Sequence, residues 1–266
     1  MTATAPTTKT PVRLQRRNYG RGHGYQIDGV KVAGVTTVLN AKAKPALVNW
    51  SAETTAAYAV NNWEKLADLP PAERLKKLEK ARYDVVKEAA LRGTEIHELG
   101  EKLVHGDPVE VPDVHRGEVE AYARFLDEWN FRPIGSEAPV GNAQWNYAGT
   151  LDTLGVITRA GSDERALVDV KTGKGVYNET SLQLAAYRYC EFWQPKKGVE
   201  EPMPEVDTVY VAHVKPDVVD MLPVVANQEV FRQFLYVLSV WRDDEKVKEW
   251  PRIGSPVRPD EAATYE

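Results

Sequence analysis

The sequence is almost free of cysteine, since Cys190 is the only one among its 266 residues. One thiol excludes an internal disulfide framework and any zinc or iron–sulfur site built from four cysteines of this chain. No apolar run reaches about 18 residues, so the sequence predicts no transmembrane helix and no membrane partner. The N-terminal stretch also lacks the apolar core of a secretory signal. We therefore expect an intracellular protein.

Positive charge is scarce over the whole chain, which has a net charge of −5. This balance argues against indiscriminate binding of polyanions. Residues 1–44 are the exception, with eight basic residues against one acidic residue, so this segment carries +7 and the rest carries −12. Such a segment can contact phosphates while the remainder repels them. A solvated basic tail is the simpler alternative, and we expect residues 1–24 to be flexible.

Apolar periodicity predicts mostly helices in the first half of the chain and strands after residue 131. A hairpin with its turn at Asp28-Gly29 is expected at residues 25–32. Helices are expected at residues 45–62, 72–91, 94–104, 118–129, 180–193 and 227–248. Strands are expected at residues 132–140, 144–148, 151–158, 165–170, 206–214 and 218–225. In this scheme Arg92-Gly93 interrupts a helix and Thr94 caps the next one.

This order of elements predicts an α/β fold with a mixed central β-sheet flanked by helices and a helical N-terminal region. We expect a single domain at residues 25–250. Its N-terminal hairpin and helices would span residues 25–91, and its core would span residues 92–250. Residues 251–266 are expected to form a C-terminal tail.

Two aspartates and a lysine lie in the apolar segments that predict strands. Asp152 belongs to the segment 149–158, and Asp169 and Lys171 lie two positions apart in the segment 165–171. Residues i and i+2 of a strand share one face, so Asp169 and Lys171 are expected to point the same way. Two strands joined by a turn accommodate the 17 positions between the aspartates. A strand-end aspartate beside a surface ion pair is the alternative without function.

Carboxylates in this arrangement are suited to a divalent cation. Mg²⁺ takes hard oxygen ligands, commonly one or two carboxylates, and imidazole with carboxylates also suits Mn²⁺. Asp152 and Asp169 fit that role, and the backbone carbonyl of Val170 can add a ligand between them. Lys171 fits a group that orients the attacking water or stabilises the transition state of phosphodiester hydrolysis.

Other polar residues lie on predicted helices and loops around these strands. Gln183 and Tyr187 are four positions apart, so they share one helix face. Lys174 follows the Thr172-Gly173 turn and is a candidate phosphate contact. Glu137 is an open possibility as an outer acid of the site. Without the other motifs, His97 would be interpreted as an ordinary helix or core histidine.

Four short motifs occur here in an order that resembles the PD-(D/E)XK nucleases, most closely the RecB-like exonuclease branch with its phage-encoded members. The motifs are Arg92-Gly-Thr-x-x-His97, Gly149-Thr-Leu-Asp152, Asp169-Val-Lys171-Thr-Gly173 and Gln183-x-x-x-Tyr187. The resemblance covers about residues 92–190. The segments 34–39 and 44–50 also resemble the N-terminal region of phage nucleases of this type. The family's proline before the first aspartate is replaced here by Leu151.

The resemblance implies a restriction-endonuclease-like fold and a set of roles. It assigns metal binding to His97, Asp152 and Asp169, and the catalytic lysine to Lys171. Gln183 and Tyr187 match a motif that helps to hold the DNA strand. The cofactor would be Mg²⁺ or Mn²⁺, and the single cysteine excludes the iron–sulfur cluster that some relatives carry.

The expected function is therefore a metal-dependent DNA nuclease, with an exonuclease in recombination, repair or phage DNA processing favoured. DNA ends or single strands would be its substrate, and a recombinase or a single-strand-binding protein is a possible partner. We expect it in the cytoplasm of a bacterial or phage-infected cell. A structure-specific endonuclease on the same fold and a non-catalytic DNA-binding protein on a nuclease scaffold are the alternatives.

Overall fold

A computed structural model describes residues 12–19, 22–250 and 252–253. Its strands pair into one mixed sheet. The strands are β1 Leu14–Tyr19, β2 Gly22–Ile27, β3 Val30–Gly34, β4 Arg132–Asn142, β5 Tyr147–Arg159, β6 Ser162–Lys171, β7 Phe192–Lys196, β8 Val199–Pro202, β9 Thr208–Val214 and β10 Val219–Pro223. The helices are α1 Val35–Leu39, α2 Pro45–Asn61, α3 Trp63–Ala67, α4 Pro71–His105, α5 Arg116–Glu128, α6 Glu179–Arg188 and α7 Gln228–Glu249. The predicted mixed α/β class with a central mixed sheet is confirmed.

Strand β5 is the centre of the sheet, because both of its edges are paired. One edge is antiparallel to β4. The other edge is shared: residues 153–159 pair with β6, whereas Tyr147 and Ala148 run parallel to β3. Strand β6 continues the sheet through a parallel pairing with β9. A gap between β3 and β6 therefore opens along the edge of β5, next to Asp152.

The N-terminal strands curl the sheet into a nearly closed barrel, which the sequence did not predict. Strand β1 lies beside β7 and β8, where Gln194 donates from Nε2 to the Leu14 carbonyl at 2.6 Å. The Glu200 carboxylate accepts the backbone N–H groups of Arg13 and Leu14, both at 3.0 Å. Within the expected flexible tail of residues 1–24, the structure describes β1 and the start of β2. Residues 1–11 and 20–21 of that tail lie outside the described residues.

Side-chain alternation along β6 divides the core into two layers. Leu167 packs with α6 and α7 on one face, and Val168 and Val170 pack with α5 on the other. The sequence produces this arrangement because residues 166–170 are apolar except Asp169, so both faces of the strand are buried. Every functional side chain near the end of β6 must therefore belong to one layer or the other.

Two helix boundaries differ from the prediction. Helix α4 runs without a break from Pro71 to His105, and the Thr94 hydroxyl donates to the Ala90 carbonyl at 3.0 Å instead of capping a new helix. Gly93 is tolerated inside α4 because it faces the sheet, where a Cβ would lie 3.4 Å from Thr172 Oγ1. Helix α6 ends at Arg188, and the last residues of the predicted helix belong to β7 instead.

Two predicted strands are one in the structure. Residues 147–148 and 151–158 lie in the continuous β5, whereas residues 144–146, also predicted as strand, belong to the turn before it. Gly149 lies inside β5 and not in a turn. A Cβ at Gly149 would approach Tyr187 Cε1 to 2.4 Å, so glycine is needed for the close packing of α6 on the sheet. The Asp28-Gly29 hairpin turn is confirmed, with φ of 51° and 80° at its two central residues. Within the described residues, no helix is both long and apolar enough to cross a membrane.

Candidate active site

The site is built around the backbone N–H and carbonyl of Val170, near the end of β6. Backbone pairing between β5 and β6 stops at Thr153 and Val168, where β5 turns towards β3. Beyond that point the Asp152 carboxylate replaces the missing backbone acceptor, and its Oδ2 accepts the Val170 N–H at 2.8 Å. Asp152 therefore anchors the strand end with one oxygen while it remains part of a pocket wall.

Helix α4 brings His97 to the backbone carbonyl of the same residue, Val170. His97 Nε2 lies 2.9 Å from the Val170 carbonyl oxygen. A carbonyl only accepts, so Nε2 carries the proton in this arrangement. The pairing joins residues that are 73 positions apart in the sequence. The continuous helix α4 is therefore important for the site, because it places the His97 imidazole beside the end of β6.

Glu137 completes a cluster with His97 and Asp152. One potential ligand atom from each of the three side chains lies within 4.8 Å of the others. Glu137 sits on β4 between residues that pair with Thr153 and Leu151, so it stands opposite Asp152. Its φ of 45° is left-handed, a conformation that costs a non-glycine residue about 1–3 kcal/mol and concentrates at functional sites.

Burial raises the pKa of Glu137 to about 7, and the nearby Asp152 carboxylate adds to the effect. The half-buried acid thus sits where negative charge is already crowded. Positive charge at this point would relieve both causes, because it favours the ionised form of each carboxylate. The local electrostatics consequently favour a bound cation.

The donor atoms of the cluster fit a hard divalent cation. Adjacent ligands of an octahedral Mg²⁺ lie about 3 Å apart when its bonds are about 2.1 Å long. His97 Nε2 and Val170 O have a separation of 2.9 Å, and the ligand atoms of the three side chains lie within 4.8 Å of one another. Binding at Nε2 requires that His97 move its proton to Nδ1, which frees the Val170 carbonyl as well.

Asp169 and Lys171 lie on the same face of β6, as the strand alternation predicted, and they form an ion pair in the opposite layer. Lys171 Nζ lies 2.6 Å from Asp169 Oδ2, and the Asp169 side chain is only 1% exposed. The contact lacks hydrogen-bond geometry, so within the described residues Asp169 Oδ2 has no hydrogen-bond partner. Burial raises the pKa of Asp169 and the charge of Asp152 adds to the rise, whereas Lys171 and His97 lower this pKa in part.

Lys171 keeps its proton in this environment. Burial disfavours its ammonium, but Asp169 and Asp152 outweigh that effect and raise the pKa of Lys171 above its ordinary value. The side chain therefore presents a permanent positive charge at neutral pH. The structure does not bring Asp169 into the cluster of His97, Glu137 and Asp152, although the aspartates are close enough to influence each other.

Gln183 links the ion pair to α6. Its amide donates to Asp169 Oδ1 at 3.2 Å and to the Tyr187 hydroxyl at 3.4 Å. Tyr187 is 3% exposed and packs against Gly149, so the structure places it beneath the site and not on its surface. Lys174 is exposed in the loop after β6 and lines neither pocket described below.

Two pockets open at this end of β6. The first pocket, of about 30 Å³, is lined by His97, Glu137, Asp152, Val170 and neighbours that include Glu101. A second pocket, of about 180 Å³, is called the Lys171 pocket here. Its polar lining consists of Thr36, Asn40, Lys44, Lys171, Tyr177, Glu179, Thr180 and Gln183.

Several polar residues outside the predicted site have structural partners. Buried His115 contacts the Glu95 carboxylate at 2.7 Å, although the Glu95 side chain is mostly exposed. His213 Nε2 donates to the Gly173 carbonyl at 2.8 Å and so fixes the loop after Lys171. Cys190 is buried and donates to the Ala186 carbonyl.

Sequence reasoning left Glu137 open and did not consider Lys44 as a site residue. Glu137 lies between Ser136 and Ala138, whose partners Thr153 and Leu151 flank Asp152. Only the register of the paired strands places it there. Lys44 and Asn40 reach the Lys171 pocket from the connection between α1 and α2, and no local pattern marks that contact.

Comparison of this chain with models of known protein families finds no match, and none is found among curated proteins.

Proposed function

We propose that this protein is a divalent-metal-dependent DNA nuclease that hydrolyses phosphodiester bonds, most readily at the ends of DNA strands. The single observation that carries the proposal is the pair of side-chain contacts to the backbone of Val170. Asp152 holds its N–H at 2.8 Å and His97 meets its carbonyl at 2.9 Å. The next residue along the strand is the positively charged Lys171. This arrangement supports a metal site beside a fixed cation at one strand end.

Different residues of the chain have different roles in the proposed reaction. His97, Asp152, Glu137 and the Val170 carbonyl would hold Mg²⁺ or Mn²⁺, with Asp169 as a further carboxylate once Lys171 engages DNA. When bound, the cation neutralises charge on the phosphodiester and makes a water nucleophilic at neutral pH. Lys171 supplies a protonated amine that stabilises the additional negative charge of the transition state. Gln183 holds Asp169 in place, and so positions Lys171 indirectly.

The fold is compatible with a restriction-endonuclease-like assignment, which is part of the proposal. The succession of β4, β5, β6, α6 and β9 places the two aspartates on neighbouring strands and Gln183 on the helix that follows. The nearly closed barrel of the N-terminal strands is an addition to that arrangement. Exposed Arg16 and Arg17 on β1 give this addition positive charge that suits a phosphate backbone.

Cleavage assays on linear, nicked and closed circular DNA with Mg²⁺ or Mn²⁺ test the proposal. The wild-type chain should degrade linear DNA, and Lys171→Gln and Asp169→Asn should each reduce cleavage at least about 100-fold with unchanged melting temperatures. Lys197→Gln removes an equal charge from the exposed turn between β7 and β8, and it should cleave normally.

The same assay separates the other outcomes. Cleavage of closed circles would identify an endonuclease. Binding without any cleavage under either metal would identify a non-catalytic DNA-binding protein and contradict the proposal. Normal cleavage by both site variants would remove the assigned residues from the reaction.

A further inference from the structure

The Lys171 pocket contains a cation that the proposed reaction does not use. Lys44 Nζ lies 3.2 Å from Glu179 Oε1 and donates to Asn40 Oδ1 at 3.3 Å. Both side chains of the ion pair are about 30% exposed, so the pair is accessible to a ligand. Lys171 and Gln183 line the same pocket. A DNA strand that brings a phosphate to Lys171 therefore reaches a pocket that Lys44 also lines.

The position of Lys44 is well defined by the backbone. It is the N-cap residue of α2 and directly precedes Pro45, and the residue before a proline has restricted backbone conformations. Its side chain therefore reaches into the pocket from a fixed point. Preorganisation of this kind lowers the entropic cost of holding a ligand.

The negative charge of Glu179 is stabilised even without Lys44. It lies in the first turn of α6, where the helix dipole stabilises a carboxylate. Lys44 can consequently exchange Glu179 for another anion without leaving a carboxylate in an unfavourable place. A phosphate oxygen forms the same kind of charge-assisted contact with an ammonium group.

The shape and lining of the pocket suit one nucleotide of a single strand. The pocket has a volume of about 180 Å³ and is lined by both polar and apolar residues. Tyr177 is exposed at the pocket and offers an aromatic face, and base stacking on such faces binds single strands with little sequence preference. The pocket thus combines a phosphate contact, a stacking surface and the catalytic cation Lys171.

We propose that the Lys171 pocket is the subsite for the nucleotide adjacent to the cleaved bond of a single DNA strand. Lys44 binds the phosphate of that nucleotide, and Glu179 occupies Lys44 when DNA is absent. This inference rests on the proposed nuclease function, because it gives the same site its substrate subsite. It makes Glu179 a competitor of the substrate and Lys44 a residue that determines affinity.

Fluorescence anisotropy with a fluorescein-labelled thymidine oligonucleotide tests the inference, with Ca²⁺ as the oxygen-liganded cation. Four forms of the full chain are compared: wild type, Lys44→Gln, Glu179→Gln and the double variant. Lys44→Gln should weaken binding about tenfold and reduce the slope of log affinity against log salt by about 0.7, the value for one lost phosphate contact on a single strand. Glu179→Gln should tighten binding about threefold, since its loss frees Lys44.

The double variant makes the test specific. It should bind like Lys44→Gln, because freeing Lys44 has no value once Lys44 is gone. Lys197→Gln is the control for loss of a charge elsewhere, with wild-type affinity and salt slope expected. Cleavage kinetics with Mg²⁺ should show the change of Lys44→Gln in KM and little change in kcat.

The outcomes separate this inference from the nuclease proposal. Wild-type cleavage with Lys44→Gln affinity equal to wild type overturns the subsite alone. Tightening by Glu179→Gln that persists in the double variant also overturns it, since the effect is then general electrostatics. A wild-type chain that neither binds nor cleaves DNA overturns both.

Discussion

Asp152 accepts the Val170 N–H at 2.8 Å at the point where β5 and β6 cease to pair. One carboxylate therefore has two separable tasks, an anchor for the strand end and a ligand for a cation. An amide at this position keeps the acceptor oxygen and loses the charge. Structure and chemistry can thus be tested apart with two substitutions of one residue.

We expect Asp152→Asn to fold with nearly unchanged stability and to lose metal-dependent cleavage. Asp152→Ala should lose cleavage as well, and it should also be destabilised by about 1–3 kcal/mol because the Val170 N–H loses its acceptor. Urea unfolding and a cleavage assay measure the two effects. Equal stability of both variants would contradict the anchoring task.

Glu137 provides the second prediction, because it belongs to the cluster of ligand atoms whereas Glu101 only lines the same pocket. Glu137→Gln should weaken Mn²⁺ binding about tenfold or more, as measured by calorimetry. Glu101→Gln removes the same charge from the same pocket and should have a clearly smaller effect. Similar losses in both variants would mean that the pocket attracts the cation by charge alone.

Local sequence signals predicted the elements whose structure depends on neighbouring residues. The Asp28-Gly29 turn is an example, because both residues need positive φ and their types favour it. Strand β7 was missed because Phe192 and Trp193 continue the apolar pattern of α6 with no glycine or proline before them. Tertiary pairing with β4 decides this segment, and no local preference announces that pairing.

The site shows the same division. The ion pair of Asp169 and Lys171 follows from the alternation of one strand, so the sequence predicted its geometry. The contact between His97 and Val170 spans 73 positions, and only the motif order pointed to it. Glu137 joins the cluster through strand register and an unusual backbone conformation, neither of which a sequence pattern encodes.

The third prediction concerns pH. The pKa of Glu137 is raised from an ordinary 4.5 to about 7 in the folded protein, so folding favours its protonated form. Its contribution to stability is fully present below about pH 4.5 and is lost as the pH rises through about 7. Asp169 contributes in the same direction, since burial raises its pKa too.

We therefore expect the free energy of unfolding of the metal-free wild type to fall between pH 5 and pH 8. The fall should be smaller for metal-free Glu137→Gln, because its amide does not ionise. Saturating Mg²⁺ should reduce the loss in the wild type, since a cation favours both ionised carboxylates. Urea unfolding at several pH values, with EDTA or Mg²⁺, measures the difference between the two proteins. Parallel pH profiles without metal would contradict the assigned titration of Glu137.

Gly149 provides the last prediction, through its contact with Tyr187. A Cβ on residue 149 would lie 2.4 Å from Tyr187 Cε1, and the Tyr187 side chain is buried. Gly149→Ala should therefore destabilise the protein by about 1–3 kcal/mol, the usual cost of overpacking a core. Gly173→Ala is the matched control, because a Cβ there meets nothing within 4 Å.

The displacement should also reach the reaction. Tyr187 contacts Gln183, which holds Asp169, so a shifted ring misplaces the partner of Lys171. We expect Gly149→Ala to lower kcat under conditions where the variant is still folded. Tyr187→Phe should change the free energy of unfolding by no more than about 1 kcal/mol, because its ring remains. Combining Gly149→Ala with Tyr187→Leu should recover part of the lost stability, since the smaller side chain makes room for the methyl group. A double variant no more stable than Gly149→Ala would show that the backbone around residue 149, and not the Tyr187 ring, resists the substitution.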